Sequence, residues 1–343
     1  MPSMRAAVFH GAGQALRVED VPTPEPRPGE ARVAVTACGF CHTDLHYIDH
    51  GVATAKPPPL ILGHEVSGRV DTLGPGAEGV AAGDRVLVPA VLPCGRCEYC
   101  RTGRENICPS MRMLGNHQDG GFAEFVVVPA KDLVPLPQDI DPVLGCVISD
   151  ALTTPYHAVV HRAQVRAGER VVVVGCGGVG INAVQFAVAA GARVMAIDVS
   201  DAKLEVARRL GASETVNPGP AEDLAKEVRR LWQDGADVAV EAVGSPKTIS
   251  LAFSTLRRGG RLCLVGYSDL PAVLPARKVM FLEYSVIGSL GCRPGDYPRV
   301  VELVRQGRVK LEPVVTGRVA LEEISTAVDR LRQGIGFRTV VQP

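Results

Sequence analysis

Val171-Val172-Val173-Val174-Gly175-Cys176-Gly177-Gly178-Val179-Gly180 is a four-valine run that ends in glycines spaced G-x-G-x-x-G. The helical pattern Ile181–Ala190 follows it. A short apolar run bounded by turn residues reads as a strand covered on both faces. Strand before and helix after is the context the glycine motif needs. Gly175, Gly177, Gly178, Val179 and Gly180 would then form a tight turn whose backbone N–H groups meet a pyrophosphate at the helix N-terminus. The next strand, Arg193–Ile197, is followed at once by Asp198. A carboxylate there accepts hydrogen bonds from a ribose diol and repels a 2′-phosphate, and no Arg follows it. The expected cofactor is therefore NAD rather than NADP. The competing reading is a doubly wound domain whose nucleotide site is unused or different.

Outward from this run the texture is regular. Strands are expected at Asp237–Val240, Arg261–Val265 and Glu214–Val216, and helices at Asp201–Leu210, Ala221–Trp232 and Pro246–Leu256. Alternation of this kind specifies an α/β Rossmann fold with a doubly wound parallel sheet. Upstream, Met4–Val8, Ala31–Ala37, Glu65–Val70, Arg85–Val88 and Phe122–Val128 read as short strands punctuated by Gly and Pro. Residues 1 to about 135 thus form an irregular, mostly β domain. Asp141-Pro142 is a helix start, with Asp as N-cap and Pro in the first turn. The tail adds a helix at Asp296–Gln306 and a last strand at Arg338–Val341.

With 343 residues, two domains are expected. The formal net charge is zero and aromatics are 4%, so neither nucleic acid nor an anionic membrane is favoured as a partner. No apolar run has the length of a membrane span, and no secretory signal is recognised. A cytoplasmic location is expected, where ten cysteines stay reduced and serve metal or packing rather than disulfides.

Two clusters carry metal chemistry. Cys94, Cys97, Cys100 and Cys108 are spaced C-x2-C-x2-C-x7-C, which suits a closed, structural tetrahedral zinc site. An iron–sulfur cluster is the alternative, since four thiolates also hold one. The second stretch, Cys38-Gly39-Phe40-Cys41-His42-Thr43-Asp44-Leu45-His46, places thiol, imidazole, hydroxyl and carboxylate in one turn-like segment. It reads as a metal site or a proton path, or else as a polar surface loop.

With Gly63-His64-Glu65, the four-cysteine segment and the glycine loop in this order, the chain resembles the zinc-dependent medium-chain alcohol dehydrogenases over essentially its whole length. The resemblance implies that Cys41 and His64 bind a catalytic zinc and that His42 contacts the cofactor pyrophosphate. It further implies that Thr43 takes the proton of the substrate alcohol and that His46 passes it on. Asp44 would hydrogen-bond His64 and fix its tautomer. Glu65 would sit behind the metal and ligate it transiently. The family's third ligand is usually Cys, but its spacing from Tyr156 leads here to Asp150. Cys146, one helical turn earlier, is the competing ligand. Lys203 resembles a residue on the adenosine ribose, and Arg338 one that meets the pyrophosphate. Val265 joins them as a cofactor residue.

The resemblance gives a mostly β, GroES-like catalytic domain at 1–151 and 289–343, and the NAD-binding domain at 152–288. It implies two zinc ions per subunit, a small alcohol or carbonyl substrate and a homotetramer. Polyol, cyclic and acyl-thioester alcohols remain open as substrates. A zinc- and NAD-binding sensor without turnover is the rival of a different class, and the Thr43–His46 relay speaks against it.

Overall fold

The computed structural model describes residues 2–218 and 224–343, which divide into two compact units. One comprises Met1–Thr153, Cys292–Gln306 and Leu311–Pro343; the other comprises Thr154–Gly291 and Gly307–Lys310. These borders lie within three residues of the expected 151/152 and 288/289, but the short segment 307–310 falls with the second unit. Nothing in its sequence marks it.

The second unit is built on one six-stranded sheet. Its strands run in the order Glu214–Val216, Arg193–Ile197, Arg170–Val174, Ala236–Glu241, Leu256–Leu264, Ser285–Gly288. Every neighbouring pair is parallel. This is the doubly wound order in which the chain reverses direction across the sheet beside its first strand. Val171–Val174 are buried because helices cover both faces, which is why the run is apolar without alternation. Trp232, Phe253, Met195 and Leu262 fill one side of the core. The expected helix Ala221–Trp232 is seen as Leu224–Trp232, and its first three positions lie outside the described residues. The strand Ser285–Gly288 was not expected. It is four residues long at the sheet edge and lacks the apolar character of a central strand.

The first unit contains a sheet ordered Val134–Pro135, Arg85–Val88, Glu65–Leu73, Glu30–Phe40, Arg338–Gln342, Val315–Ala320, with Phe125–Pro129 also pairing Glu30–Phe40. A three-stranded sheet joins Arg17–Pro22, Ser3–Phe9 and Leu60–Ile61. Phe40 and Phe122 stack at 5.2 Å in the core beneath them. Asp141 caps Pro142–Gly145, its carboxylate accepting from Val143 N at 2.8 Å. The helix Ile324–Arg332 and the strand Val315–Ala320 were not expected; the strand alternates half-buried and exposed residues, a weak signal between charged neighbours.

The Cys41 stretch is a helix, His42–Asp49, rather than a turn. Asp44 at its third position reaches back to accept from Cys41 N at 2.9 Å, and Leu45 and Ile48 anchor one face in the core.

Candidate active site

The first unit brings Cys41, His64, Glu65 and Asp150 together, with one ligand-type atom from each lying within 4.8 Å of the others. Each arrives differently. Cys41 ends the strand Glu30–Phe40 as N-cap of the helix His42–Asp49. His64 follows Gly63, whose φ of +93° and tight packing on Cys38 and Phe122 leave no space for a Cβ. Asp150 ends the 3₁₀ turn Cys146–Ser149, and the buried Tyr297 hydroxyl donates to the preceding Ser149 carbonyl at 2.8 Å. Cys146 turns elsewhere: its Sγ faces the Val143 carbonyl at 3.3 Å, and burial pushes its thiol well up.

The distances suit a missing centre better than direct bonds. His64 Nε2 lies 3.7 Å from Asp150 Oδ2, and Cys41 Sγ lies 3.8 Å from the same oxygen. Both His64 nitrogens are buried without a hydrogen-bond partner. A tetrahedron with bonds of about 2.0–2.3 Å has edges of about 3.3–3.8 Å. One zinc ion at that centre satisfies both the spacing and the orphaned nitrogen. His64 is 1% exposed and Asp150 18%, so the side bearing the carboxylate is the accessible one. Burial lowers the His64 pKa, but the Asp44 charge and the Asp150 carboxylate outweigh it and hold it well above the usual range. The surroundings thus favour a cation. Asp44 does not hydrogen-bond His64: its Oδ1 is 3.6 Å from Nδ1. It instead accepts from Gly63 N at 3.2 Å and Cys41 N at 2.9 Å, clamping the two ligand-bearing loops.

Behind this cluster, Arg338 Nε donates to both Glu65 oxygens at 2.9 and 3.1 Å, and a terminal nitrogen reaches Cys41 Sγ at 3.4 Å. Burial alone would lower the Arg338 pKa, but Glu65 and Cys41 reverse this and the guanidinium stays charged. Arg338 is therefore buried beside Cys41 and Glu65, a position for which its sequence offers no signal. Gly39 was also missed. A Cβ there would lie 2.1 Å from Glu65 Oε2, so only glycine admits the carboxylate. Thr43 Oγ1 sits 3.8 Å from Cys41 Sγ. His42 is exposed at the helix start, and His46 Nδ1 lies 3.0 Å from His50 Nδ1.

Cys94, Cys97, Cys100 and Cys108 form a second cluster. Their sulfurs are separated by 3.5 Å (Cys97–Cys100), 3.7 Å (Cys97–Cys108) and 3.9 Å (Cys94–Cys100). Those values exclude a disulfide and match the edges of a tetrahedral thiolate site. Backbone N–H groups of Arg96 and Cys97 hold the Cys94 thiol down at about 6. Burial pushes Cys176, Cys263 and Cys292 up to about 12, as befits packed thiols.

In the second unit, Gly175 has φ +88°, and a Cβ at Gly180 would stand 1.7 Å from the Gly175 carbonyl. Gly177 faces open space, with nothing within 4 Å of its would-be Cβ. Val179 precedes the helix Gly180–Ala189, and the Gly178 carbonyl accepts from Asn182. Asp198 accepts from Cys176 N at 2.7 Å and Ser200 N at 2.9 Å, which ties the glycine loop to the following strand end. Lys203 is half-buried on the helix Asp201–Arg209 and lies near enough to oppose Asp198 at the Cys176 thiol. Val265 N donates to the Glu241 carbonyl at 2.9 Å. Glu241 itself went unnoticed: its buried carboxylate accepts from Val243 N, Gly244 N and Thr248 Oγ1, holding the 242–244 loop against Gly175.

The chain is similar to known proteins over nearly its whole length. Residues 27–138 match the alcohol dehydrogenase GroES-like domain, and residues 178–306 match the zinc-binding dehydrogenase family. An alcohol dehydrogenase of Geobacillus stearothermophilus is 36% identical over 96% of both chains. An NAD-dependent alcohol dehydrogenase of Sulfurisphaera tokodaii is 33% identical over 98% of this chain and 100% of its own. The cobalt- and zinc-bound thermostable alcohol dehydrogenase of Pyrobaculum aerophilum superposes with a TM-score of 0.90 at 32% identity, covering 100% of both chains. Two domain matches and near-full-length identity to curated members place this chain in the zinc-dependent medium-chain alcohol dehydrogenase family.

Proposed function

We propose that the protein oxidises a primary or secondary alcohol reversibly to an aldehyde or ketone, with NAD as cofactor and two zinc ions per subunit. The observation that carries this reading is the buried, unpartnered His64 at tetrahedral spacing from Asp150, with Cys41 equally spaced. Cys41, His64 and Asp150 would hold the catalytic zinc, with Glu65 behind it, and the four cysteines 94, 97, 100 and 108 the structural one. When bound, zinc supplies a Lewis acid that lowers the pKa of the substrate hydroxyl, and NAD supplies the hydride acceptor. The chain does the rest. Thr43 accepts the hydroxyl proton and His46 carries it onward. Amides of Gly175–Gly180 orient the pyrophosphate, and Asp198 receives the ribose diol, with Lys203 and Val265 as further cofactor residues of the same unit. Arg338 neutralises Glu65 at the metal cluster rather than acting alone on a phosphate.

Ten unpaired thiols fit a cytoplasmic setting. Among the described residues no single helix is long and apolar enough to cross a membrane. Association as a homotetramer is supported by the exposed Leu270, Val273, Met280 and Phe281 near the edge strand Ser285–Gly288.

The test is metal analysis beside turnover. Wild-type protein should carry about two zinc ions per chain and oxidise members of an alcohol panel with NAD in preference to NADP. Asp150→Ala and Cys41→Ser should each lose about one zinc and nearly all turnover while retaining NAD binding. Full zinc content in Asp150→Ala would remove Asp150 from the ligand set.

A further inference from the structure

The helix His42–Asp49 is followed by an imidazole that the proposed reaction leaves unused. His46 and His50 are one helical turn apart and share a face. Their Nδ1 atoms lie 3.0 Å apart, and the rings are tilted by 48° with centroids at 5.2 Å. The contact therefore runs through nitrogen rather than through stacked faces. At this distance one nitrogen carries the hydrogen and the other presents its lone pair. His50 is exposed, and its backbone N–H donates to the His46 carbonyl, which fixes where its ring emerges from the helix end.

We propose that His50 is a positioning residue that selects the tautomer of His46: His46 donates its Nδ1–H to Nδ1 of His50 and keeps Nε2 as the base. This inference rests on the reading of His46 as the relay base. With Nδ1 committed to His50, Nε2 is the nitrogen that takes the relayed proton. A neutral ring with its lone pair on Nε2 carries its hydrogen on Nδ1. Once Nε2 is protonated, the Nδ1–H becomes a charge-assisted donor, and the acceptor on His50 stabilises the imidazolium. His50 acts through His46 and makes it a stronger base.

The neighbouring charges leave this role to an imidazole. Asp49 adjoins His50 and would be the competing acceptor. Arg332, from the helix Ile324–Arg332, grips both Asp49 oxygens at 2.7 and 2.9 Å and is itself held by Asp329. That clamp holds the Asp49 carboxyl below its ordinary range. Asp44 is buried and occupied with Cys41 and Gly63. His42, one turn before His46, is the remaining titratable group on this face.

The experiment compares the pH dependence of kcat for alcohol oxidation in the zinc-loaded wild type with that of His46→Gln, His50→Ala and His50→Asn. An asparagine amide oxygen can stand near the place of Nδ1 and accept a hydrogen bond without titrating. In His50→Ala the acid limb should move to lower pH by about half to one unit, and the plateau should fall roughly threefold to tenfold, the size of one lost hydrogen bond. His50→Asn should recover most of both. A wild-type profile in His46→Gln overturns the relay reading and this inference with it. An altered profile in His46→Gln beside an unchanged one in His50→Ala overturns the inference alone. So does a His50→Ala defect that Asn leaves unrepaired.

Discussion

Single atoms decide most of what the two sites can hold. At Gly180 a methyl group would enter the Gly175 carbonyl, whereas at Gly177 it would meet nothing. The two substitutions should therefore separate folding from binding. Gly180→Ala should lower thermal stability by about 1–3 kcal/mol and weaken NAD. Gly177→Ala should leave the melting temperature nearly unchanged and still weaken NAD, because its Cβ occupies ligand space; calorimetry and cofactor titration check both. Much of this was legible in the sequence, because the glycines and Asp198 belong to one local strand–loop–helix unit. Cys41, His42, Thr43 and His46 stood out as one short polar stretch, read as turn-like, and their expected roles came from the family resemblance rather than from local pattern. The Glu65–Arg338 pair was not, since its members stand 273 positions apart and only the fold joins them. Gly39 was hidden because its meaning is the space it vacates for Glu65.

Elements in the second unit are pinned to one another by a carboxylate. Asp237, in Ala236–Glu241, accepts from Arg170 N at 2.8 Å and from Arg170 Nε at 3.2 Å, and it also pairs with Arg257. Three adjacent strands are thereby tied at one end of the sheet. Burial raises the Asp237 pKa, but the Arg170 amide and the Arg257 guanidinium more than reverse it, so the folded value is depressed. A depressed carboxylate stabilises the fold above its unfolded pKa of about 3.9, and that stability is lost as pH falls through the folded value. Asp237→Asn should thus destabilise the protein at neutral pH and flatten the stability profile below about pH 4, as chemical denaturation across pH would record. The strands themselves were readable from their apolar runs. Helix His42–Asp49 was not, because four of its eight residues are polar or charged side chains of the site, and its helical form rests on the Asp44 cap and the Leu45–Ile48 face.

At the scale of the whole molecule, the second unit presents Leu270, Val273, Met280 and Phe281 to solvent, with side chains 62, 82, 64 and 67% exposed. A group of large apolar residues left outside suits a second copy of the chain. The proposed homotetramer predicts that wild-type protein is larger than a single chain in light scattering and that Phe281→Glu yields smaller species, with the fold of each chain intact by circular dichroism. Sequence periodicity could not reveal this surface, since it marks which residues are apolar and not which of them stay uncovered. The strand Arg338–Gln342 has a separate consequence for biosynthesis. It lies between Glu30–Phe40 and Val315–Ala320, yet it leaves the ribosome after everything else in its sheet. Nearly all of the second unit is contiguous and can fold while translation continues. The sheet of the first unit stays open until Arg338 emerges to balance Glu65, so the Cys41–His64–Asp150 cluster cannot be completed before that strand is made.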